Sequence, residues 1–285
     1  MPGDSAARAE EVTVARHYDA LDRFYRELWG EHVHHGLWTT GRESVEEATR
    51  ALVDLVAGWA SVRPGARVVD AGSGYGGTAR VLAGEYGCEV VGFTLSGAQA
   101  AWARQRGGRI RYEVRSWLAN GLADNSCDAV VAIESLSHMV DKPLAFAEAA
   151  RVLVPGGRLV LVDWLSAERP SRLARRWLLD PIAREGHLPG LHSLAAYQRF
   201  VEQAGLAVLH TEDLSQRARR TWSIVARRLT RRVLSDRDAR RFLLSAQNPD
   251  RAFGFSLVRI PLALRTGSMR LCLVAAALPP SSGRD

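Results

Sequence analysis

The sequence predicts an α/β fold, a doubly wound parallel sheet with helices on both faces, and three observations carry that reading. Apolar runs of strand length alternate with helix-length stretches between residues 63 and 165. The first run, VVDAGSGYGGTA from Val68 to Ala79, ends in a crowd of glycines at the point where a parallel sheet receives its ligand. No internal repeat or low-complexity tract replaces the pattern with another architecture.

Residues 1–62 read as helix around one loop. Tyr18, Leu21, Tyr25 and Leu28 share a face, and Ser44-Val45-Glu46-Glu47 is a capping box. It opens a helix on which Val45, Ala48, Leu52, Leu55, Val56 and Trp59 recur at helical spacing. EHVHHGLWTTGRES lies between the two as a loop. After the break at Arg63-Pro64-Gly65 come strand ARVVDAG, a helix over Thr78 to Tyr86, strand CEVVGFTL, a helix from Ser96, and strands IRYEV and CDAVVAIE. A helix over Leu144 to Leu153 and strand GRLVLVDW follow. Beyond residue 165 the alternation gives way to an Arg-rich helical stretch from Ser166 to Gly190 and a helix from Ser193 to Ala204 ended by Gly205. Strand LAVLHTEDL, a second basic helical stretch from Arg217 to Ser245, and strand GSMRLCLVAAAL close the chain. The expected division is therefore 1–62, 63–165 and 166–285.

With 285 residues and 47% hydrophobic content, the chain can bury a full core as one enzyme-sized unit. Cys88, Cys127 and Cys272 are odd in number, without CxxC spacing, and sit in or beside apolar runs, so neither a disulfide framework nor a zinc site is implied. The start of the chain lacks an apolar signal region, and the longest apolar runs are too short to span a bilayer. The expectation is a soluble, cytoplasmic protein. The net charge of +7 comes almost wholly from arginine, Lys142 being the only lysine. A positive surface concentrates anionic ligands.

A glycine turn after a strand can hold NAD, a phosphate or S-adenosylmethionine. Gly72, Gly74 and Gly77 satisfy the GxGxxG spacing of a dinucleotide site. The second strand, however, ends VVGFTLS with no carboxylate for a ribose, while Asp70 precedes the glycines, a placement that disfavours NAD.

At this point the sequence resembles the class I S-adenosylmethionine methyltransferases. The resemblance rests on an ordered set: VVDAGSGYGG, FTLSGAQ after the second strand, IESLSHMVDK after the fourth, RVLVPGGRLVLVDW into the fifth, and LHSLAAYQRFVEQAGL before a last pair of strands. The N-terminal HYDALDRFYRELWGEHVHHGLW is similar to the tocopherol, sterol and prenyl-chain branch and its natural-product relatives. The resemblance implies a Rossmann-like, mostly parallel seven-stranded sheet, an N-terminal helical lid and a helical insertion near the C-terminus. It implies that Gly72 and Gly74 pass the methionine part of S-adenosylmethionine, with Ser73 between them, and that Asp70 orders the loop. Thr94, Leu95 and Ser96 would meet ribose and adenine, with Tyr18, Trp38, Gln99 and Glu134 completing the cofactor set. The family's usual acidic contact to the adenine amine aligns with Ser116 here, a departure; Trp117 is left to stack on the base.

Methyl transfer needs alignment and exclusion of water, and a base only when the acceptor must lose a proton. His138, just past the tip of the fourth strand, is the candidate base, the alternative being that it caps a helix or contacts the cofactor; Glu134, first an organiser of its loop, and His35 are further candidate catalytic groups. The His32, His34 and His35 cluster lacks a carboxylate or cysteine partner at ligand spacing, so no metal is expected. Arg220, Arg227, Arg228 and Arg231 share one helix face opposite Trp222, Val225, Leu229 and Val233, the pattern of a solvated face. No nucleic-acid module accompanies them. The expected reaction is methylation of a hydrophobic or aromatic small molecule, at carbon, oxygen or nitrogen, in secondary metabolism, and an anionic acceptor tail would suit the arginines. The alternatives are a methyltransferase-like protein catalysing a non-methylating step such as cyclisation, and an Arg-rich nucleic-acid-binding module.

Overall fold

The computed structural model describes residues 2–237, 240–241 and 253–280. Seven strands form one sheet in the order β3-β2-β1-β4-β5-β7-β6. They are β1 (Arg67–Ala71), β2 (Glu89–Thr94), β3 (Ile110–Val114), β4 (Cys127–Ile133), β5 (Leu153–Ser166), β6 (Ala207–Asp213) and β7 (Met269–Ala277). β1 to β5 pair in parallel, while β7 runs antiparallel to both β5 and β6. The expected α/β, mostly parallel sheet is therefore present, and its one reversed strand is the segment that closes the chain.

Strand periodicity divides the core between two faces. Val68, Val90, Val131, Val160 and Val162 pack on one side with Leu52, Val53 and Val56 of the helix Val45–Ala60 (α3). Val69, Phe93, Val130 and Leu161 pack on the other with Phe146 and Val152 of the helix Lys142–Val152. Consecutive residues of a strand point to opposite faces, so runs that are apolar throughout read as strands covered on both sides. The predicted capping box opens α3: Ser44 Oγ accepts from the Glu47 N–H at 3.1 Å and Glu47 Oε2 accepts from the Ser44 N–H at 2.7 Å.

Two helices precede α3, α1 (Pro2–Ala20) and α2 (Asp22–Leu28), and α1 packs against α5 (Gly97–Gln105). The helix α4 (Gly77–Gly84) starts directly from the glycine turn. β5 is longer than the predicted GRLVLVDW, because Leu153 pairs with Cys127 and the strand continues to Ser166 opposite Met269. Beyond β5, the Ser166–Gly190 stretch contains three short helical pieces, Arg172–Ala174, Arg175–Leu179 and Asp180–Glu185. Further on lie the basic helix Arg220–Ser235 and the helix Phe253–Arg265, whose Trp222, Ile260 and Leu264 share a small core with Leu179, Ile182 and Met269. Residues 238–239 and 242–245 of the predicted basic stretch lie outside the described residues. Among the described residues, no helix is long and apolar enough to cross a membrane.

Gly72 has φ +101°, and a Cβ there would stand 2.2 Å from the Ser135 Cβ. Gly72→Ala should therefore force the turn after β1 away from the loop after β4 and lower stability by about 1–3 kcal/mol, read as a fall in the thermal midpoint. An unchanged midpoint would show that the two loops have slack.

Candidate active site

The turns following β1, β2 and β4 line a chamber at the carboxyl ends of the strands. Gly72 and Gly74 form its floor; Thr94, Leu95, Ser96 and Gln99 line it from the β2–α5 turn. Ser116 and Trp117 close one end, while Tyr18, Glu134 and His138 stand at the other side. Gly74 adopts φ +51°, and no atom lies within 4 Å of where its Cβ would be, so the backbone leaves open the space a ligand needs. Thr94 Oγ1 donates to Gln99 Oε1 at 2.8 Å and accepts from the Ser96 N–H at 3.1 Å, which fixes this turn before any ligand arrives. Trp117 is held by its Nε1 donating to the Ala145 carbonyl at 3.0 Å and meets Phe93 edge-on.

Three residues assigned to the cofactor from sequence do not reach this chamber. Trp38 packs near Gly36, Val45 and Thr49, with its Nε1 donating to the Glu43 carbonyl at 3.3 Å. Sequence neighbours in a loop share no face, and the chain turns Trp38 away from the sheet tips. Ser73 points back into the turn, its Oγ donating to the Phe93 carbonyl at 3.3 Å. Asp70 is buried beneath the loop, and its Oδ2 has no hydrogen-bond partner among the described residues. Burial pushes its carboxyl up to about 7, a backbone hydrogen bond from Ala79 in α4 pulling the other way. Asp70 thus joins the strand to the start of α4 and does not line the ligand space.

A second chamber adjoins the first and shares Tyr18, Val33, Glu134 and His138 with it. Its wall is aromatic: Tyr18 and Tyr25 lie 5.1 Å apart between ring centroids, and Trp29 meets Trp222, and Trp222 meets Trp164, at 6.0 and 5.9 Å. Ile182, Leu188 and Ile260 complete an apolar lining drawn from the C-terminal helices. Such a space suits a hydrophobic or aromatic molecule.

Glu134 organises the boundary. It sits at the tip of β4 with φ +52° and accepts from the His35 N–H at 2.6 Å, from His35 Nδ1 at 2.9 Å and from Trp164 Nε1 at 2.7 Å. Trp222 Nε1 donates to His35 Nε2 at 2.8 Å, so the ring is the Nδ1–H tautomer with its lone pair engaged. Burial raises the Glu134 carboxyl, but the hydrogen bonds it accepts from the His35 ring and backbone pull the other way, and the carboxyl lies net below the ordinary glutamate value. Glu134 is a carboxylate with its lone pairs committed, and His35 is a positioned neutral ring facing the second chamber.

His138 belongs to both chambers. Its Nε2 lies 3.0 Å from the Tyr18 hydroxyl. Burial depresses its pKa to about 3, the charges of His17 and Lys142 adding to the effect while the His187 backbone opposes it. Burial raises the Tyr18 phenol, so it stays protonated. Lys142, itself buried, donates from Nζ to the carbonyls of Ser137 and Met139, on either side of His138, and thereby fixes the loop that presents the ring.

The sequence reading missed Glu11 and Val14, which line the first chamber from α1. The signal was present: with Tyr18 they form the i, i+3, i+7 stripe that continues into the recognised face of Leu21 and Tyr25. Arg115 also lines this chamber and carried no motif, while Ser135 and Met139 lie within IESLSHMVDK but were given no role. A larger groove at the opposite ends of β1 to β3 is lined by arginines, of which Arg67 pairs with Asp128 and Arg80 and Arg106 with Glu31. It lies away from the strand tips and their turns.

A parallel sheet with its last strand reversed, and a glycine-floored chamber at its carboxyl edge, define the class I S-adenosylmethionine methyltransferase architecture. Residues 5–240 match the family model described as mycolic acid cyclopropane synthetase, and the chain belongs to that family of S-adenosylmethionine-dependent enzymes. It is 35% identical over 222 residues to the 27-O-demethylrifamycin SV methyltransferase of Amycolatopsis mediterranei, covering 75% of this chain and 81% of that protein. It is 30% identical over 238 residues to the tocopherol O-methyltransferase of Arabidopsis thaliana, covering 75% and 68%. The cyclopropane synthase MmaA2 of Mycobacterium tuberculosis shares the fold, with a TM-score of 0.83, 23% identity, and coverage of 94% of this chain and 98% of that one. The [4+2]-cyclase SpnF matches with a TM-score of 0.77 and 25% identity over 94% and 96%.

The residues present fit S-adenosylmethionine. The turn leaves open space over Gly74, and Leu95, Ser116 and Trp117 line the same chamber along the turns after β2 and β3. The cofactor supplies an electrophilic methyl group on a sulfonium.

Proposed function

We propose that this enzyme methylates a hydroxyl group on a hydrophobic or aromatic secondary metabolite, with His138 receiving the acceptor's proton through Tyr18. The observation that carries the reading is the shared wall: Tyr18 and His138, with Val33 and Glu134, line both chambers, and Tyr18 and His138 are bonded to each other there. The aromatic lining and the name of the rifamycin-methylating relative support an acceptor of that kind.

A conjugate acid held near 3 makes His138 a weak base, yet a sufficient one. As the acceptor oxygen gains its bond to carbon it acquires positive charge, and its proton becomes strongly acidic. The base therefore needs position more than strength. The Tyr18 phenol donates to Nε2, so the proton moves by relay: Tyr18 takes the acceptor's proton as its own passes to that nitrogen. His35 positions Glu134 and the aromatic wall. Residues 1–62 act as the lid, supplying Tyr18, Tyr25 and His35, and the helices after β5 act as the acceptor cap.

A depressed pKa fixes the pH dependence. The ring is in its competent, neutral form above about 3 and loses competence only below it. The ratio of wild-type to His138→Gln turnover should thus stay flat between about pH 5.5 and 8. A ratio that falls with a midpoint near 6.5 would show that the ring titrates as an ordinary histidine.

Incubation with methyl-labelled cofactor and a panel of polyketide, phenolic and polyprenyl acceptors tests the reaction. Label on a hydroxyl oxygen of the product supports the proposal. Label on carbon would shift the work to the aromatic faces, which stabilise cations. Conversion of an acceptor without label would make the protein a cyclase-type catalyst.

A further inference from the structure

We propose that Glu11, on α1, is the specificity residue for the cofactor's nucleobase, accepting a hydrogen bond from the exocyclic amine of adenine. The acceptor chamber fixes the reacting end of the cofactor beside Tyr18, Glu134 and His138. The nucleoside must extend away from it, along the β2–α5 turn to Ser116 and Trp117. Adenine presents one strong donor group, its amine, and this end of the chamber must offer an acceptor or leave that donor unpaired.

The acceptors along this path are few. Thr94 and Gln99 bond each other, and Ser96 Oγ accepts from the Gln99 N–H at 3.1 Å as it caps α5. The turn after β3 supplies Ser116, a hydroxyl and no carboxylate. Among the described residues two carboxylates line the chamber, Glu134 and Glu11. Glu134 is taken by His35 and Trp164. Glu11 stands over the nucleoside end, where Ser116 Oγ donates to its Oε1. That bond orients the carboxylate toward the base, so the charge absent from the strand side comes from the helix packed across it. Reading the nucleobase then also fastens α1 over the chamber.

Calorimetry with two ligands tests this: S-adenosylhomocysteine, and its inosine analogue, which carries a carbonyl where adenine has its amine. Wild-type protein should prefer the adenine ligand by about 10- to 100-fold, the range of a hydrogen bond to a charged group. Glu11→Gln retains the Ser116 contact and offers an amide donor, so it should weaken the adenine ligand, hold or strengthen the inosine one, and abolish the preference. Glu11→Ala should lower affinity for the adenine ligand alone. Equal losses for both ligands would place Glu11 on the ribose or in helix docking and overturn the assignment, as would an unchanged preference in Glu11→Gln. Melting curves of each variant separate these results from loss of fold. Binding alone is read, so failure here leaves the proposed methyl acceptor untouched, and wild-type affinity for S-adenosylhomocysteine checks the cofactor itself.

Discussion

Gly74→Val loses binding of S-adenosylmethionine and of its demethylated product by about 100-fold or more, as two effects with one cause predict. The glycine holds φ +51°, which a β-branched residue adopts only under strain. Its missing side chain is the open space over the chamber floor. A valine there either stands where the ligand must lie or pulls the turn into another shape, and both remove the site. The strain costs about 1–3 kcal/mol of stability, so a melting curve must accompany the calorimetry. Undiminished affinity in a folded Gly74→Val protein would remove the turn after β1 from the cofactor site.

His138→Ala should lower turnover about 10²- to 10⁴-fold at saturating cofactor, with affinity for S-adenosylhomocysteine unchanged. The ring lines both chambers, is held in place by the Lys142 clamp on its loop, and is bonded to Tyr18 at the wall between them. His138→Gln keeps a polar partner for the Tyr18 hydroxyl without a comparable base and should be nearly as slow. Weakened cofactor binding with preserved turnover would instead make His138 a wall of the cofactor chamber and leave the acceptor's proton to solvent or to Tyr18.

The fold was legible because strands apolar on both faces alternate with amphipathic helices, and because Ser44, Ser96 and Ser193 mark helix starts that the structure places one residue later. The glycine turn and the FTLS turn were legible for the same local reason: their residues act where they sit in the chain. What escaped depends on contacts between distant segments. Glu11 reaches Ser116 across 105 positions, and Trp38 leaves the chamber although His35, three residues earlier, enters the neighbouring one. The arginine helix shows the same limit. Arg227 and Arg231 are exposed as its charge pattern predicts, but Arg228 donates to the Leu28 carbonyl and Arg220 to that of Gly41, tying this helix to the N-terminal segment. Pairings of that kind are set by tertiary packing, on which spacing within one helix is silent.

The assignment of Tyr18 and His138 to the acceptor's proton is tested most directly by where an acceptor hydroxyl lies when the cofactor site is filled. A crystal structure with S-adenosylhomocysteine and a hydroxylated acceptor from the panel measures that position. The acceptor should occupy the aromatic chamber, with its hydroxyl beside Tyr18 and His138, pointing through the shared wall toward the cofactor's sulfur, so that a methyl group on that sulfur would sit about 3–3.5 Å from the oxygen. An acceptor bound with its hydroxyl turned away from that wall, or held outside the chamber bounded by Trp29, Trp164 and Trp222, would contradict it.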